Sequence, residues 1–499
     1  MTRLNRRDAL IRGSALGVFL PFVNACAPKE AKTTETTTSG ENGFMDGVRT
    51  AELIASGEMT ASEAVEAAIS RAEAVEPQIN AIASETFDLA RERAATSPQG
   101  QFGGVPTFIK DLFDWNKAPT YFGSQAFKGY VATQDEAASA AWRKAGMISL
   151  GKSTTPELGL TATTETLVTG ESRNPWNLDH STGGSSGGAG ALVAARVVPF
   201  AHATDGGGSI RIPASCNGVF GLKPSRDRTY FRVEPQLPVS ISVSHAETIT
   251  VRDSVATFRV SQTGKFDDIG AISGPSTKRL RIGVLTSPAT DVTVDPELIT
   301  ATERTAELCR ELGHEVFEFK FPSGFDGQEF SDKFSLYWSA GAAQFVQQAS
   351  EFTGKPPSPE IVEPLTLFLA QRFMERQGEL EAAVQYLLGF KDIYDSWFSS
   401  MDVMLSPTLA ELPLPIGTLG ATTDPEEHFA RVSSYASFTP PMNVSGAASM
   451  SVPLEWSESG LPIGMMFSGK QGDDEMLFEL AYELEQARPW VNKVPPVHA

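Results

Sequence analysis

The sequence predicts a layered α/β protein. Short apolar runs of strand length alternate along it with segments of helical period, and no internal repeat interrupts that alternation. The composition, 41% apolar and 20% charged, is that of a globular chain able to bury a large core. The elements follow in order. Thr60 and Glu63 fit a capping box, and Val65, Ala68, Ile69 and Ala72 fall on one helical face behind it. A helix over about 136–145 precedes a strand at Met147-Ile148-Ser149-Leu150. The glycine-rich stretch 183–190 leads into a small-residue helix over 191–196 and a strand over 197–202. A second glycine cluster, Asp205-Gly206-Gly207-Gly208-Ser209, follows at once. Residues 281–285 read as a buried strand, and 296–312 as a helix ended by Gly313. The segment 325–395 is mostly helical and rich in aromatics. Leu477, Leu480, Ala481 and Leu484 mark a last amphipathic helix, stopped by Pro489.

Residues 1–26 read as an address rather than as structure. Arg3, Arg6, Arg7 and Arg12 form a positive region, and an apolar stretch too short to span a bilayer runs from Ala15 to Val23. Asn5-Arg6-Arg7-Asp8-Ala9-Leu10 looks like a twin-arginine export signal. Val23-Asn24-Ala25-Cys26 resembles a bacterial lipobox, which makes Cys26 the expected lipidated N-terminus of an envelope protein facing the periplasm. The plainer alternative is a cleaved signal with an incidental cysteine. Residues 27–43, polar and threonine-rich, are expected to form a disordered tether, and 44–499 the folded domain.

The formal net charge of −20 repels phosphates, so nucleic acid is not an expected partner. No CxxC, Cys/His cluster or HExxH spacing occurs, so no metal site is readable. Gly146-Met147-Ile148-Ser149-Leu150-Gly151-Lys152-Ser153 fits the phosphate-loop pattern GxxxxGK[ST]. Its apolar spacer reads as a strand, however, and Pro156 delays any following helix, so the match is a decoy.

The chemistry lies in the two glycine-serine clusters. Successive N–H groups in a glycine turn can converge on one point and bind an anion, as acyl transfer requires of its oxyanion hole. Ser209 ends such a run and is the candidate nucleophile. A flexible linker is the competing reading of GGSSGG, but apolar helix and strand follow at once, which is not linker context. A serine needs a base. His202 lies seven residues before Ser209, and Lys110 sits in Val105-Pro106-Thr107-Phe108-Ile109-Lys110-Asp111-Leu112-Phe113. A lysine held neutral by desolvation can serve, although an isolated lysine among apolar residues also reads as a snorkelling surface residue.

The run GGSSGGAGALVAARVVPFAHATDGGGSIRIPASCNGVFGLKPS (183–225) closely resembles the amidase signature family. Residues 79–86, 103–113, Gly123-Ser124, Asn174-Pro175-Trp176, Ser406-Pro407-Thr408 and 460–464 extend the resemblance over nearly all of 44–499; 313–395 matches poorly. The resemblance implies a single α/β/α domain with a large mixed sheet between helical layers. It implies a catalytic Lys110, a bridging Ser185 held by a cis peptide bond, and a nucleophilic Ser209. The backbone amides of Gly206, Gly207, Gly208 and Ser209 would form the oxyanion hole. Asp205, Arg211 and Ser186 would be scaffolding. No metal or organic cofactor is implied, and the expected partner is a small-molecule amide cleaved at its carbon–nitrogen bond; oligomeric state is open. The DGGGSIRIPAS form resembles the branch containing 6-aminohexanoate cyclic-dimer hydrolase, where Gly206 stands in place of a frequent Thr or Ile. Residues 443–449 (NVSGAAS) replace a usual NxxGxP block, which puts the nearby backbone in question. Two alternatives share the fold: the A subunit of the tRNA-dependent amidotransferase, opposed by the export signal and the negative charge, and a non-catalytic envelope binding protein, opposed by the intact Lys110, Ser185 and Ser209.

Overall fold

A computed structural model describes residues 44–232 and 238–499, so the proposed signal, Cys26 and the tether lie outside the described residues. Eleven strands carry the architecture. In chain order they are β1 (Ile82–Glu85), β2 (Pro106–Lys110), β3 (Ile148–Ser153), β4 (Phe200–Asp205), β5 (Phe220–Lys223), β6 (Val243–Thr248), β7 (Arg281–Val284), β8 (Glu315–Glu318), β9 (Val403–Pro407), β10 (Ser449–Trp456) and β11 (Pro462–Ser468). Eight of them form one mixed sheet in the order β8-β7-β9-β11-β10-β5-β6-β4. Its β8-β7-β9 edge is parallel and the remaining pairs are antiparallel. A three-stranded sheet, β1-β3-β2, stands beside the β4 edge, where Thr107 Oγ1 of β2 donates to the Phe200 carbonyl of β4 at 3.0 Å.

β2, β3, β4, β5, β6, β9 and β11 are buried throughout, as expected of strands covered on both faces. The main core joins β5, β7, β9, β10 and β11 to helices that include Pro296–Glu311, Gly327–Thr353, Leu380–Trp397 and Asp474–Ala487. A second core packs helix Ala61–Ile79 against helix Gly187–Ala194. The mixed sheet between helical layers is therefore the architecture the resemblance implies.

The capping box forms: Glu63 N–H donates to Thr60 Oγ1 at 3.1 Å, and Thr60 N–H to Glu63 Oε2 at 2.8 Å. The strand in the phosphate-loop decoy is β3, and its Lys152 is buried, donating to the Phe113 carbonyl at 2.6 Å and Thr120 Oγ1 at 3.0 Å. Two boundaries differ from expectation. The helix expected over 191–196 spans Gly187–Ala194, and the strand expected over 197–202 is Phe200–Asp205. Close packing overrides the poor helix propensity of glycine here. A Cβ on Gly187 would lie 2.3 Å from the hydroxyls of Thr164 and Thr182, and one on Gly188 2.3 Å from that of Thr154.

Candidate active site

β2 ends at Lys110, the helix Gly187–Ala194 begins directly after Ser185 and Ser186, and β4 ends at Thr204 and Asp205. The packing of these three elements brings together residues up to 94 positions apart. Lys110 Nζ donates to Ser185 Oγ at 2.7 Å, Ser186 Oγ at 2.8 Å and Thr204 Oγ1 at 3.0 Å. These three acceptors are uncharged hydroxyls, and the lysine is fully buried. Burial pushes its ammonium down to about 7; Asp205 and Glu247 oppose the shift and Arg232 assists it. Lys110 is therefore half neutral near pH 7, unlike a snorkelling surface lysine.

The Gly184–Ser185 peptide bond is cis. Ser186 N–H donates to the Ser209 carbonyl at 3.3 Å, which ties the two serine segments together. Ser209 is 7% exposed and lines an apolar cleft, together with Gly184 and Gly207.

Asp205 organises the second glycine cluster. Its carboxylate accepts from Gly208 N–H at 2.8 Å, Ile210 N–H at 3.2 Å and Arg211 Nε at 2.9 Å. Burial would raise this carboxyl, but the Arg211 charge and hydrogen bonds, with Lys223 and Asn443, hold it well below the usual carboxylate range. Asn443 closes the arrangement: its Nδ2 donates to the Asp205 carbonyl at 3.0 Å, and its Oδ1 accepts from Arg211 Nη2 at 2.6 Å. The altered 443–449 block thus keeps its first asparagine in a buried structural role.

This geometry corrects one expectation. The Gly208 amide, expected in the oxyanion hole, is already engaged by Asp205. Gly208 is needed for another reason: its φ of +135° favours glycine, and a Cβ there would meet Thr439 Oγ1 at 2.4 Å. The remaining candidate donors are the amides of Gly206, Gly207 and Ser209.

His202, the alternative base, is buried among the rings of Phe113 and Trp142, with Nε2 on Ser244 Oγ at 2.7 Å. Burial, then the Lys110 charge, holds it well below its ordinary value. Thr204 was missed from sequence, since an isolated threonine carries no pattern; Asn443 stood in the 443–449 block, but its bonds to Asp205 and Arg211 were not legible there. The aromatic residues Phe330, Phe334 and Trp338 were also missed as site residues, although their four-residue spacing was legible. Among the described residues no group of three or more His, Cys, Asp or Glu side chains is placed to hold a metal ion.

A mixed sheet between helical layers, with a serine and a glycine nest opening on an apolar cleft beside a buried lysine, describes an acyl-transfer hydrolase. The Amidase family profile matches residues 63–478, and the chain belongs to the amidase signature family. It is similar to a Mycobacterium tuberculosis protein that carries the name amidase AmiC, at 42% identity over 457 residues, covering 90% of this chain and 95% of that one. It is 34% identical over 486 residues to the 6-aminohexanoate-cyclic-dimer hydrolase of Paenarthrobacter ureafaciens, covering 91% and 96% of the two chains. A solved structure of 6-aminohexanoate cyclic dimer hydrolase complexed with substrate superposes with a TM-score of 0.83 at 32% identity, covering 91% of this chain and 99% of that one. The protein is an amide-hydrolysing enzyme.

Proposed function

We propose that Ser209 is the nucleophile, Ser185 the proton relay and Lys110 the base. The observation that carries this reading is the buried Lys110 Nζ, depressed to about 7 and 2.7 Å from Ser185 Oγ. Neutral Lys110 takes the Ser185 proton as Ser185 takes that of Ser209, whose Oγ attacks the amide carbonyl. Amides of Gly206, Gly207 and Ser209 stabilise the oxyanion. The relay then runs in reverse, protonating the leaving amine as the carbon–nitrogen bond breaks and leaving an acyl-Ser209 ester. Water, deprotonated through the same relay, attacks that ester and restores the serine. Mass spectrometry of enzyme quenched during turnover of an acyl anilide tests the assignment. An acyl adduct on the peptide holding Ser209, absent in Ser209→Ala, is expected; a Ser209→Ala variant that turns over at the wild-type rate refutes it.

The reading extends to location: an envelope lipoprotein exported by the twin-arginine route, anchored through Cys26 and facing the periplasm. Its support is the arginine pair and the apolar run ending at Cys26. Wild type should fractionate with membranes and Cys26→Ala with the soluble envelope contents; identical soluble partition of both refutes the anchor.

A further inference from the structure

The cleft on which Ser209 opens is walled by an aromatic track. Phe330, Phe334 and Trp338 stand four residues apart on helix Gly327–Thr353 and so share one face, covering ~12 Å at 1.5 Å per residue. Consecutive rings lie 6.2 and 5.6 Å apart, both pairs stacked. The track begins at the glycine nest: a Cβ on Gly207 would lie 3.3 Å from the Phe334 ring, and one on Gly206 3.4 Å from the Trp338 ring. Trp338 is fixed there by its Nε1–H, which donates to the Leu160 carbonyl at 3.2 Å. At the far end Phe325 lies 6.4 Å from Phe330 and 5.0 Å from Trp397.

Of the described residues lining this cleft, none carries a charge; its polar side-chain groups are serine and threonine hydroxyls and the indole N–H groups of Trp338 and Trp397. Lys110 and Asp205 are not among the lining residues; Lys110 bonds to Ser185, Ser186 and Thr204, and Asp205 to Arg211, Asn443 and the amides of its own glycine turn. A substrate ammonium or carboxylate seated along the track would lose its hydration and find no counter-charge, which costs far more than moving an apolar group there gains.

We infer that this site selects neutral amides with an extended apolar group beside the scissile bond, and rejects isosteres bearing an ammonium or a carboxylate on that group. The inference rests on the cleft being the substrate site of the amide hydrolase described above. The apolar group lies along Phe334 and Phe330, and Ser335, half-buried on the same helix and lining the cleft, faces it.

The test is calorimetric titration of the full-length Ser209→Ala variant with hexananilide, its 6-amino derivative and adipic acid monoanilide. Hexananilide should bind at least about 100-fold more tightly than either charged compound. A ratio under tenfold for either, or binding of none of the three, overturns the inference. Adding Ser335→Asp should narrow the gap to the 6-amino compound and widen that to the carboxylate; ratios unmoved in a folded variant overturn the placement along this helix. Turnover of hexananilide by wild type reports separately on the hydrolase mechanism. Selective binding with no turnover supports the inference and refutes the mechanism; turnover with unselective binding does the reverse.

Discussion

If Lys110 is the base, the pH dependence of kcat/KM is set by how far burial has lowered its charge. The ordinary lysine value is 10.5, and here it falls to about 7. A base must be neutral to accept a proton, so activity is present above that value and is lost as pH falls through it. With a single ionisation near 7, roughly half of the molecules are competent at pH 7 and about 1% at pH 5. The profile should therefore rise about 100-fold from pH 5 and level off above pH 8. An unperturbed lysine would instead leave the rate climbing about tenfold per pH unit as far as pH 9. The assay is initial-rate hydrolysis of a neutral acyl anilide at subsaturating concentration. Lys110→Arg keeps the charge and approximate reach but cannot become neutral, so it should lose about 10²- to 10⁴-fold at every pH. Two results would refute the reasoning: a tenfold climb between pH 8 and 9 in wild type, or Lys110→Arg within about tenfold of it.

Three further outcomes are expected. The Lys110→Ala/Ser185→Ala double variant should be little slower than Lys110→Ala alone, because members of one relay are not additive; kcat values multiplying independently would separate the two residues. Asp205→Asn leaves Arg211 buried without its carboxylate and should destabilise the protein by about 3–5 kcal/mol; a thermal-unfolding loss below about 1 kcal/mol would contradict the role given to Asp205. Burial, then the Glu157 charge, raises the Glu363 carboxyl to about 8, above its ordinary 4.5. Its ionisation therefore costs stability progressively as pH rises from about 4.5 to about 8. Glu363→Gln should raise the urea midpoint at pH 9 and leave it unchanged at pH 4; the opposite pattern would rule out that ionisation.

Asp111 and Lys152 show where sequence reading stops. Both sit in conspicuous local motifs, one beside Lys110 and one in the phosphate-loop pattern, yet both are buried in a structural contact 3.7 Å apart. Motif and placement diverge because a lysine's role depends on which distant groups surround its ammonium.

The sequence by itself determined the local elements and the identity of the chemistry. The Thr60/Glu63 cap, the helical period after it, the glycine turn at 206–208 and the serine ending it are all set by nearest neighbours along the chain. The spacing of Lys110, Ser185 and Ser209 was legible only because a long, specific pattern surrounds them. Only the tertiary structure decided which backbone amide serves what. The Gly208 N–H is taken by a carboxylate that Arg211 and Asn443 hold in place, 232 residues apart from each other. It also decided that helix Gly187–Ala194 starts on its glycines, and that rings from Gly327–Thr353 wall the cleft. Hydrogen-bond partnership and desolvation are properties of groups brought together by packing across the chain, and no local periodicity encodes them.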